Sequence, residues 1–223
     1  MINQIVQYNE PVTLLGGGAA EAAQLHAALA LAPILVAADG GANMALAEGL
    51  TPDLVIGDFD SVTAEALAAI PAERQIRVAE QDSTDFEKCL TRIAAPFILG
   101  LGFLGPRADH ALAVWNALIR HPRQRCLLLG EEDVIFVAPA RMSLPLTAGT
   151  RVSLFPMRPV TGTSRGLRWA IDGLDFAPDG VIGTSNAALG PVEMRFSGAG
   201  MLVILPRDCL KLAIAALTAG AWT

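Results

Sequence analysis

The first 137 residues alternate short apolar runs with alanine-rich stretches, and this alternation limits the folds that the chain can adopt. The strand-like runs, each bounded by Gly, Pro or a charged residue, are Val12–Leu15, Ile34–Ala37, Leu54–Ile56, Phe97–Leu101, Cys126–Leu129 and Val134–Val137. The stretches between them that favour helix are Glu21–Leu31, Ala42–Glu48, Thr63–Ile70, Asp85–Ile93 and Asp109–Arg120. Such alternation is typical of a mainly parallel sheet covered by helices on both faces. We therefore predict an α/β fold that begins with a doubly wound domain.

The pattern changes after Pro139. Strand-like pieces recur, separated by Gly, Pro, Ser and Asp, at Arg151–Phe155, Leu167–Ile171, Val192–Phe196 and Met201–Leu205. Long helical patterns are lacking there until the last dozen residues, so we predict a small antiparallel β-sandwich or barrel. Of the two, we take the β-sandwich as the predicted second domain. The predicted domains are residues 1–139 and 140–223. The apolar tail, residues 208–223, is compatible with a helix on the sandwich, a dimer contact or a partly disordered segment.

Composition excludes several classes of protein. Hydrophobic residues make up 52% and charged residues 17% of the 223 residues, which is enough apolar material for a buried core. The formal net charge of −6 argues against nucleic-acid and anionic-membrane partners. The apolar stretches fall short of the roughly 20 residues needed to span a bilayer, and the first residues lack the pattern of a signal peptide. The three cysteines are widely separated, which predicts a reduced, cytoplasmic protein without disulfides or a zinc cluster.

Carboxylates follow the strand-like runs at the points where ligands bind in α/β sheets. Asp39 follows the run ILVAA, and Asp58 and Asp60 follow LVIG. Ligands bind beyond the carboxyl ends of parallel strands, and a spacing of two residues directs both side chains to one side. Mg²⁺ usually takes one or two carboxylates together with substrate phosphates. Taken alone, an Asp-x-Asp pair is equally typical of a turn or a cap.

A second acidic pair, Asp82 and Asp85, stands where a helix is predicted to begin. Thr84 and Glu87 have the spacing of a capping box, so capping is the favoured interpretation of this pair by itself. The same helix start also offers free backbone N–H groups to a phosphate. The two roles are compatible.

Three further strand-to-helix turns carry candidate ligand groups. ADGGAN (Ala38–Asn43) contains two glycines that allow either a tight turn or close approach to a ligand. LLGGGAA (Leu14–Ala20) is glycine-rich but matches neither the dinucleotide fingerprint nor the phosphate-binding loop. In GPRADH, Arg107 suits phosphate oxygens, whereas Asp109 is also typical of a first-turn acid.

Together these runs resemble the thiamine pyrophosphokinase family. The matching pieces keep the order of the family pattern; they are DGGAN (Asp39–Asn43), PDLVIGDFDS (Pro52–Ser61), DSTDFEKCL (Asp82–Leu90) and PRADH (Pro106–His110). Runs that match the β-sandwich of the family follow at VSLFP (Val152–Pro156), GLRW (Gly166–Trp169) and TSN (Thr184–Asn186). The resemblance covers nearly the full chain apart from the termini.

The resemblance implies transfer of the β,γ-diphosphate of ATP to the hydroxyethyl oxygen of thiamine, which yields thiamine diphosphate and AMP. It also implies Mg²⁺ as cofactor, ATP as co-substrate and a homodimer. The implied catalytic and metal-binding residues are Asp58, Asp60 and Asp85. The implied nucleotide-site residues are Asp39, Gly40, Asn43, Asp82, Thr84, Lys88, Arg107 and Asp109. The implied thiamine residues are Ser185 and Asn186.

Other functions fit parts of the pattern. LVIGDFDSV also fits an aspartyl-phosphate phosphatase in which Asp58 is the nucleophile, although that motif is expected on a first strand. A diphosphokinase of the same fold could act on another small alcohol, such as a hydroxymethylpterin. A non-catalytic sensor of nucleotide or thiamine has little need for so many metal ligands.

Overall fold

The computed structural model describes residues 5–220. The chain divides into two compact units, the first ending at Ala117 and the second beginning at Leu118. The boundary that we predict at residue 139 lies inside the second unit. The assignment of separate functions to residues 1–139 and 140–223 stays a prediction.

The first unit contains a parallel sheet. Its strands are β1 (Val6–Gln7), β2 (Val12–Leu15), β3 (Ile34–Ala38), β4 (Leu54–Gly57), β5 (Gln75–Arg77), β6 (Ile93–Ala94) and β7 (Ile98–Leu101). The order β7-β2-β3-β4-β5 is parallel throughout, and β1 pairs with β6 in a separate parallel ladder. Every residue of β2, β4 and β7 is buried, which explains why these strands read as continuous apolar runs.

Helices connect the parallel strands, as the alternating pattern predicts. They are α1 (Ala22–Leu29), α2 (Gly41–Ala47), α3 (Ala64–Ala69), α4 (Asp85–Leu90) and α5 (Ala108–Arg120). Small side chains of α2 and α3, such as Ala42 and Ala66, pack with Val55 of β4 in one hydrophobic cluster. The predicted extension of α4 to Ile93 is wrong, because the helix ends at Leu90 and Ile93 pairs with β1.

The second unit is antiparallel. Its elements are β8 (Cys126–Leu129), β9 (Asp133–Val137), β10 (Arg141–Leu144), β11 (Arg151–Pro156), β12 (Val160–Leu167), β13 (Asp175–Phe176), β14 (Gly183–Phe196), β15 (Met201–Pro206) and α6 (Leu210–Ala219). The strand order is β8-β9-β15-β11-β14-β12-β13, with β10 also paired to β14. The start of β14 pairs with β11, and its end pairs with β10 and β12. The predicted fold class, a parallel α/β domain followed by an antiparallel β domain, is confirmed.

Some elements of the second unit differ from prediction. The strand predicted at Leu167–Ile171 is wrong, because β12 ends at Leu167. Strand β14 is longer than the predicted Val192–Phe196. The apolar tail forms α6, and its last residues, 221–223, lie outside the described residues. Within residues 5–220, none of the helices has the length and apolar character needed to cross a membrane.

Candidate functional site

Three carboxylates meet beyond the carboxyl ends of β3 and β4. Ligand oxygens of Asp39, Asp58 and Asp60 all lie within 4.8 Å of one another. The two strands are parallel neighbours, so their carboxyl ends share one edge of the sheet. Ligands bind at this edge in open α/β sheets. The structure thus brings together three of the acidic residues that the sequence singles out.

Asp39 is buried, and one of its carboxylate oxygens has no partner among the described residues. Its side chain belongs to a residue that is 2% exposed, and its Oδ2 accepts a hydrogen bond of 3.0 Å from the N–H of Ser61. Within residues 5–220, Oδ1 finds no hydrogen-bond donor. Burial raises the pKa of Asp39, and the negative charge of Asp85 raises it further. A buried, unpaired carboxylate oxygen is costly in protein interiors, so this oxygen suits a cation.

Asp58 is held on both of its oxygens. Its Oδ2 accepts hydrogen bonds of 2.9 Å from Nζ of Lys88 and of 2.9 Å from Nε2 of Gln81. Its Oδ1 accepts the N–H of Asp60 at 3.3 Å. The bond from Lys88 is the main reason that the pKa of Asp58 is lowered. Asp58 is therefore a preorganised, negatively charged group.

Helix α4 carries a further acidic residue of this region, Asp85. Thr84 is its N-cap, and Thr84 Oγ1 accepts the N–H of Glu87 at 3.3 Å, which confirms the predicted cap. Asp85 lies in the first turn, where its Oδ1 accepts a bond of 3.0 Å from Nζ of Lys88. Burial raises the pKa of Asp85 although Lys88 opposes this effect. Lys88, 2% exposed, thus joins Asp58 to Asp85.

The loop after β4 is tied to α2 and to the sheet by specific polar contacts. Asn43 donates from Nδ2 to the carbonyl of Ser61 at 2.9 Å and accepts the N–H of Thr63 at 3.0 Å. Gly40, the N-cap of α2, precedes this helix. Gly57 has to be glycine, because a Cβ there would lie 2.7 Å from Cβ of Asp39. The amide of Asn43 consequently positions the acidic loop.

Backbone strain marks the same loops. Within the described residues, the non-glycine residues with positive φ are Asp39 (44°), Phe59 (67°) and Ser185 (62°). Such conformations cost free energy and persist where the surroundings hold them in place. Phe59, between Asp58 and Asp60, packs against the hydrophobic cluster of the first unit. Packing of this ring therefore holds the turn that presents the two carboxylates.

The glycine-rich turn after β2 is explained by backbone packing. The N–H of Gly16 donates to the carbonyl of Leu101 at 2.8 Å, and that of Gly18 donates to Gly102 at 3.0 Å. A Cβ on Gly18 would lie 2.5 Å from the carbonyl oxygen of Gly102. At Gly18, the glycine is therefore required by close approach of two backbones, whether or not a ligand binds nearby.

Two further predicted residues pair with each other. Arg107 and Asp109 form a salt bridge of 2.7 Å at the start of α5, and both side chains are 66% exposed. Asp82 is exposed, and its N–H donates to Glu80 Oε2 at 2.8 Å. The predicted roles of Arg107, Asp109 and Asp82 toward the nucleotide stay predictions.

In the second unit, Asn186 anchors an exposed tryptophan. Asn186 is 6% exposed; its Oδ1 accepts the N–H of Trp169 at 3.2 Å, and its Nδ2 donates to the Trp169 carbonyl at 2.7 Å. Trp169 is 56% exposed, with the guanidinium of Arg168 4.9 Å from the centre of its ring. Ser185 donates its N–H to Ser153 Oγ at 3.0 Å. Both polar groups of the Asn186 amide are thus engaged by the backbone of Trp169, and the predicted roles of Ser185 and Asn186 toward thiamine stay predictions.

Sequence reasoning passed over Gln81, Ser61 and Trp169 as site residues. Ser61 closes the GDFDS motif, so its bond to Asp60 Oδ1 could have been inferred from adjacency, whereas its bond to Asp39 joins residues 22 positions apart. The Gln81 contact joins residues 23 positions apart, and no local pattern indicates it. Exposure of Trp169 depends on how β12 ends, which the sequence does not reveal.

Comparisons with known proteins identify relatives of this chain. A family model described as "Thiamin pyrophosphokinase, catalytic domain" matches residues 25–128. Thiamine pyrophosphokinase 1 of Oryza sativa subsp. japonica is 31% identical over 190 residues, covering 70% of this chain and 72% of the relative. Thiamine pyrophosphokinase 1 of Arabidopsis thaliana is 28% identical over 189 residues, with 70% and 71% covered.

Solved structures share the fold. Thiamin pyrophosphokinase from Candida albicans superposes with a TM-score of 0.74 at 17% identity, covering 91% of this chain and 93% of the other. The enzyme from Geobacillus thermodenitrificans gives a TM-score of 0.71 at 22% identity, with 87% and 96% covered.

Fold and site together define an α/β protein with an acidic cluster at the ends of its parallel strands, followed by an antiparallel β unit. The relative from rice is similar enough, over enough of both chains, to identify the family. The chain belongs to the thiamine pyrophosphokinase family. The resemblance read from its motifs is thereby confirmed, and the phosphatase and other-alcohol alternatives are not favoured.

Proposed function

We propose that this protein transfers the β,γ-diphosphate of ATP to the hydroxyethyl oxygen of thiamine, with release of AMP. The single observation that carries the proposal is the cluster of Asp39, Asp58 and Asp60 at the strand ends, in a chain of this family. Phosphoryl transfer asks a protein mainly to position reactants and to neutralise charge. A covalent nucleophile is not required, and the engaged oxygens of Asp58 suit a positioning role.

The acidic residues fit Mg²⁺ by the chemistry of their donors. Mg²⁺ prefers oxygen ligands, and Asp39 offers an oxygen with no donor among the described residues. We propose Asp58, Asp60 and Asp85 as the metal-binding set, with Asp39 facing the same site. When bound, Mg²⁺ would supply positive charge that neutralises the charge developing on the transferred phosphates. Without a cation, these carboxylates would repel ATP.

Residues around the cluster have distinct proposed tasks. Asn43 holds the acidic loop in place through its two backbone contacts, and Gly40 lies beside it. Thr84 orders the start of α4, which exposes backbone N–H groups to an anion. Arg107 is exposed and is suited to bind phosphate oxygens in a bidentate manner, with Asp109 as its partner in the absence of ligand.

We propose that residues of the second unit bind the alcohol substrate. Asn186 fixes the backbone of Trp169, and the exposed indole offers an apolar face to an aromatic, cationic substrate such as thiamine. Ser185 stands beside Asn186 with strained backbone geometry.

We also propose that the protein is a cytoplasmic homodimer that binds neither nucleic acid nor membrane. Light scattering would test the dimer, and cell fractionation would test the location.

The test is a reaction of purified protein with ATP, Mg²⁺ and thiamine, followed by chromatography of thiamine and adenine nucleotides. Equimolar thiamine diphosphate and AMP are the expected products. ADP with thiamine monophosphate would contradict the proposal, because it would show transfer of the γ-phosphate alone. Absence of turnover together with thermal stabilisation by Mg²⁺ and ATP would contradict thiamine as the substrate while leaving the nucleotide site in place.

A further inference from the structure

The ammonium group of Lys88 lies between two carboxylates that we assign to the metal. Its Nζ is 2.9 Å from Oδ2 of Asp58 and 3.0 Å from Oδ1 of Asp85. The Lys88 side chain is 2% exposed, so its charge relies on these two partners. Asp58 follows strand β4, and Asp85 lies in the first turn of α4. Lys88 thus neutralises charge on the same two side chains that a divalent cation would neutralise.

Oδ2 of Asp58 has little spare capacity to bind a second cation. Its Oδ2 accepts Lys88 and Gln81, both at 2.9 Å, which matches the two lone pairs of a carboxylate oxygen. Asp39, in contrast, has an oxygen that no donor reaches among residues 5–220. Coordination of a cation by Oδ2 of Asp58 therefore requires one of its two present donors to leave, and the charged donor, Lys88, is the one that a cation repels.

We propose that Lys88 is a displaceable counter-ion. It holds Asp58 and Asp85 together before a divalent cation binds, releases Asp58 to that cation, and turns its ammonium group to the polyphosphate that arrives with it. This inference rests on the proposed function, since it concerns the same metal and nucleotide site. A cation that binds alone leaves Lys88 with too few partners, whereas a cation that binds with ATP supplies a new one. Lys88 therefore couples metal binding to nucleotide binding.

The choice of lysine fits this role. Only Lys88 and Lys211 are lysines among the 16 basic residues of the chain; the others are arginines. Lysine carries a compact charge on a flexible four-carbon stem, whereas arginine forms fixed, bidentate pairs with carboxylates. A counter-ion that has to change partners is better served by the lysine. Lys211, exposed on α6, provides a matched control.

The experiment measures binding of Mn²⁺ alone, by calorimetry, to the wild type, to Lys88→Met and to Lys211→Met. Methionine keeps an unbranched apolar stem and removes the charge. We expect Lys88→Met to bind Mn²⁺ about 10-fold more tightly than the wild type, because a nearby like charge has been removed. Lys211→Met should match the wild type. ATP without thiamine should tighten Mn²⁺ binding to the wild type and tighten it much less in Lys88→Met.

Equal or weaker Mn²⁺ binding by folded Lys88→Met would overturn the inference. If Lys88 were purely structural, its replacement by Met would lower the melting temperature in EDTA without tightening Mn²⁺ binding. If Lys88→Met does not fold, acylation of wild-type amines, read by mass spectrometry, decides the question. In EDTA, Lys88 should react more slowly than Lys211. Once Mn²⁺ is added, Lys88 should react faster than it does in EDTA, and an unchanged rate would refute displacement.

A wild type that makes thiamine diphosphate and binds Mn²⁺ would leave the proposed function standing after such a failure. A wild type that does neither would overturn both.

Discussion

Replacement of Asp39 by Asn should make the protein more stable and less active. Asp39 is buried, and its pKa is raised by burial and by the charge of Asp85. Asn keeps a carbonyl oxygen for the N–H of Ser61, which now donates to Asp39 Oδ2 at 3.0 Å. The Asn amide can also donate to the neighbouring carboxylates in place of the unpartnered Oδ1. Asn tolerates the positive φ of this position (44°) better than most residues.

The size of the effect follows from the surrounding charges. Oxygens of Asp39, Asp58 and Asp60 lie within 4.8 Å of one another, and Lys88 already neutralises Asp58. Repulsion from one remaining carboxylate at this range amounts to about 1 kcal/mol with water-like screening. Replacing the buried charge by a neutral amide removes a desolvation cost of about the same size. We therefore expect a gain of about 1–2 kcal/mol in the free energy of unfolding. In a unit of this size that gain corresponds to a rise of roughly 5 °C in melting temperature.

The gain should depend on pH in a definite direction. Because the folded state raises the pKa of Asp39 above its ordinary value of 3.8, the folded protein holds this proton more tightly than the unfolded chain. The stabilising contribution of Asp39 is complete below that ordinary value and is lost as pH rises through the raised pKa. The difference between variant and wild type should therefore be largest near neutral pH and shrink in acid.

Thermal unfolding in EDTA, repeated across this pH range, measures the difference. Asp53→Asn is the control: Asp53 Oδ2 also accepts one backbone N–H, that of Leu35 at 2.9 Å, but Asp53 is not part of the acidic cluster. The control should show no such gain. In the diphosphokinase assay we expect Asp39→Asn to lose about 100-fold in activity, the scale of one preorganised electrostatic group. An Asp39→Asn protein that is less stable than wild type in EDTA at neutral pH would refute the reasoning.

Three other outcomes test the site and the packing. Asp60→Asn should lower diphosphokinase turnover by at least about 100-fold, and near-wild-type turnover would contradict its assignment to the metal. Asn186→Ala should lose about 2 kcal/mol in urea denaturation, since two hydrogen bonds to Trp169 disappear. Wild-type stability would show that water replaces these bonds. Burial raises the pKa of the Cys89 and Cys126 thiols, so a thiol reagent should label neither until the protein is denatured. Rapid labelling of the native protein would contradict that burial.

The acidic edge of the sheet could be predicted because its signals are local. An apolar run followed by Asp indicates both the strand and the point at which it ends, and parallel pairing then brings Asp39 near Asp58 and Asp60. Lys88 lies three residues after Asp85, so their contact also follows from helical spacing. Its contact with Asp58 joins residues 30 positions apart, and only the packing of α4 beside β4 reveals it.

The antiparallel unit was harder to predict because two of its long strands, β12 and β14, lack a continuous apolar pattern. Strand β12 reads VTGTSRGL, in which only the first and last residues are buried. Its ladder with β14, rather than a hydrophobic face, defines it as a strand. Strand β14 contains Gly190 and Pro191, which are typical of strand breaks, yet it runs from Gly183 to Phe196. Prediction from local pattern therefore found only its last five residues.

The central position of β14 has a consequence for synthesis on the ribosome. Strands β10, β11 and β12 all pair with β14, which is made after them. Their edges therefore emerge without this partner and stay open until residues 183–196 have left the ribosome. Open strand edges invite pairing with other chains, so this interval is when a nascent chain most needs a chaperone. The parallel sheet β7-β2-β3-β4-β5 is completed earlier in synthesis, because its last strand ends at Leu101.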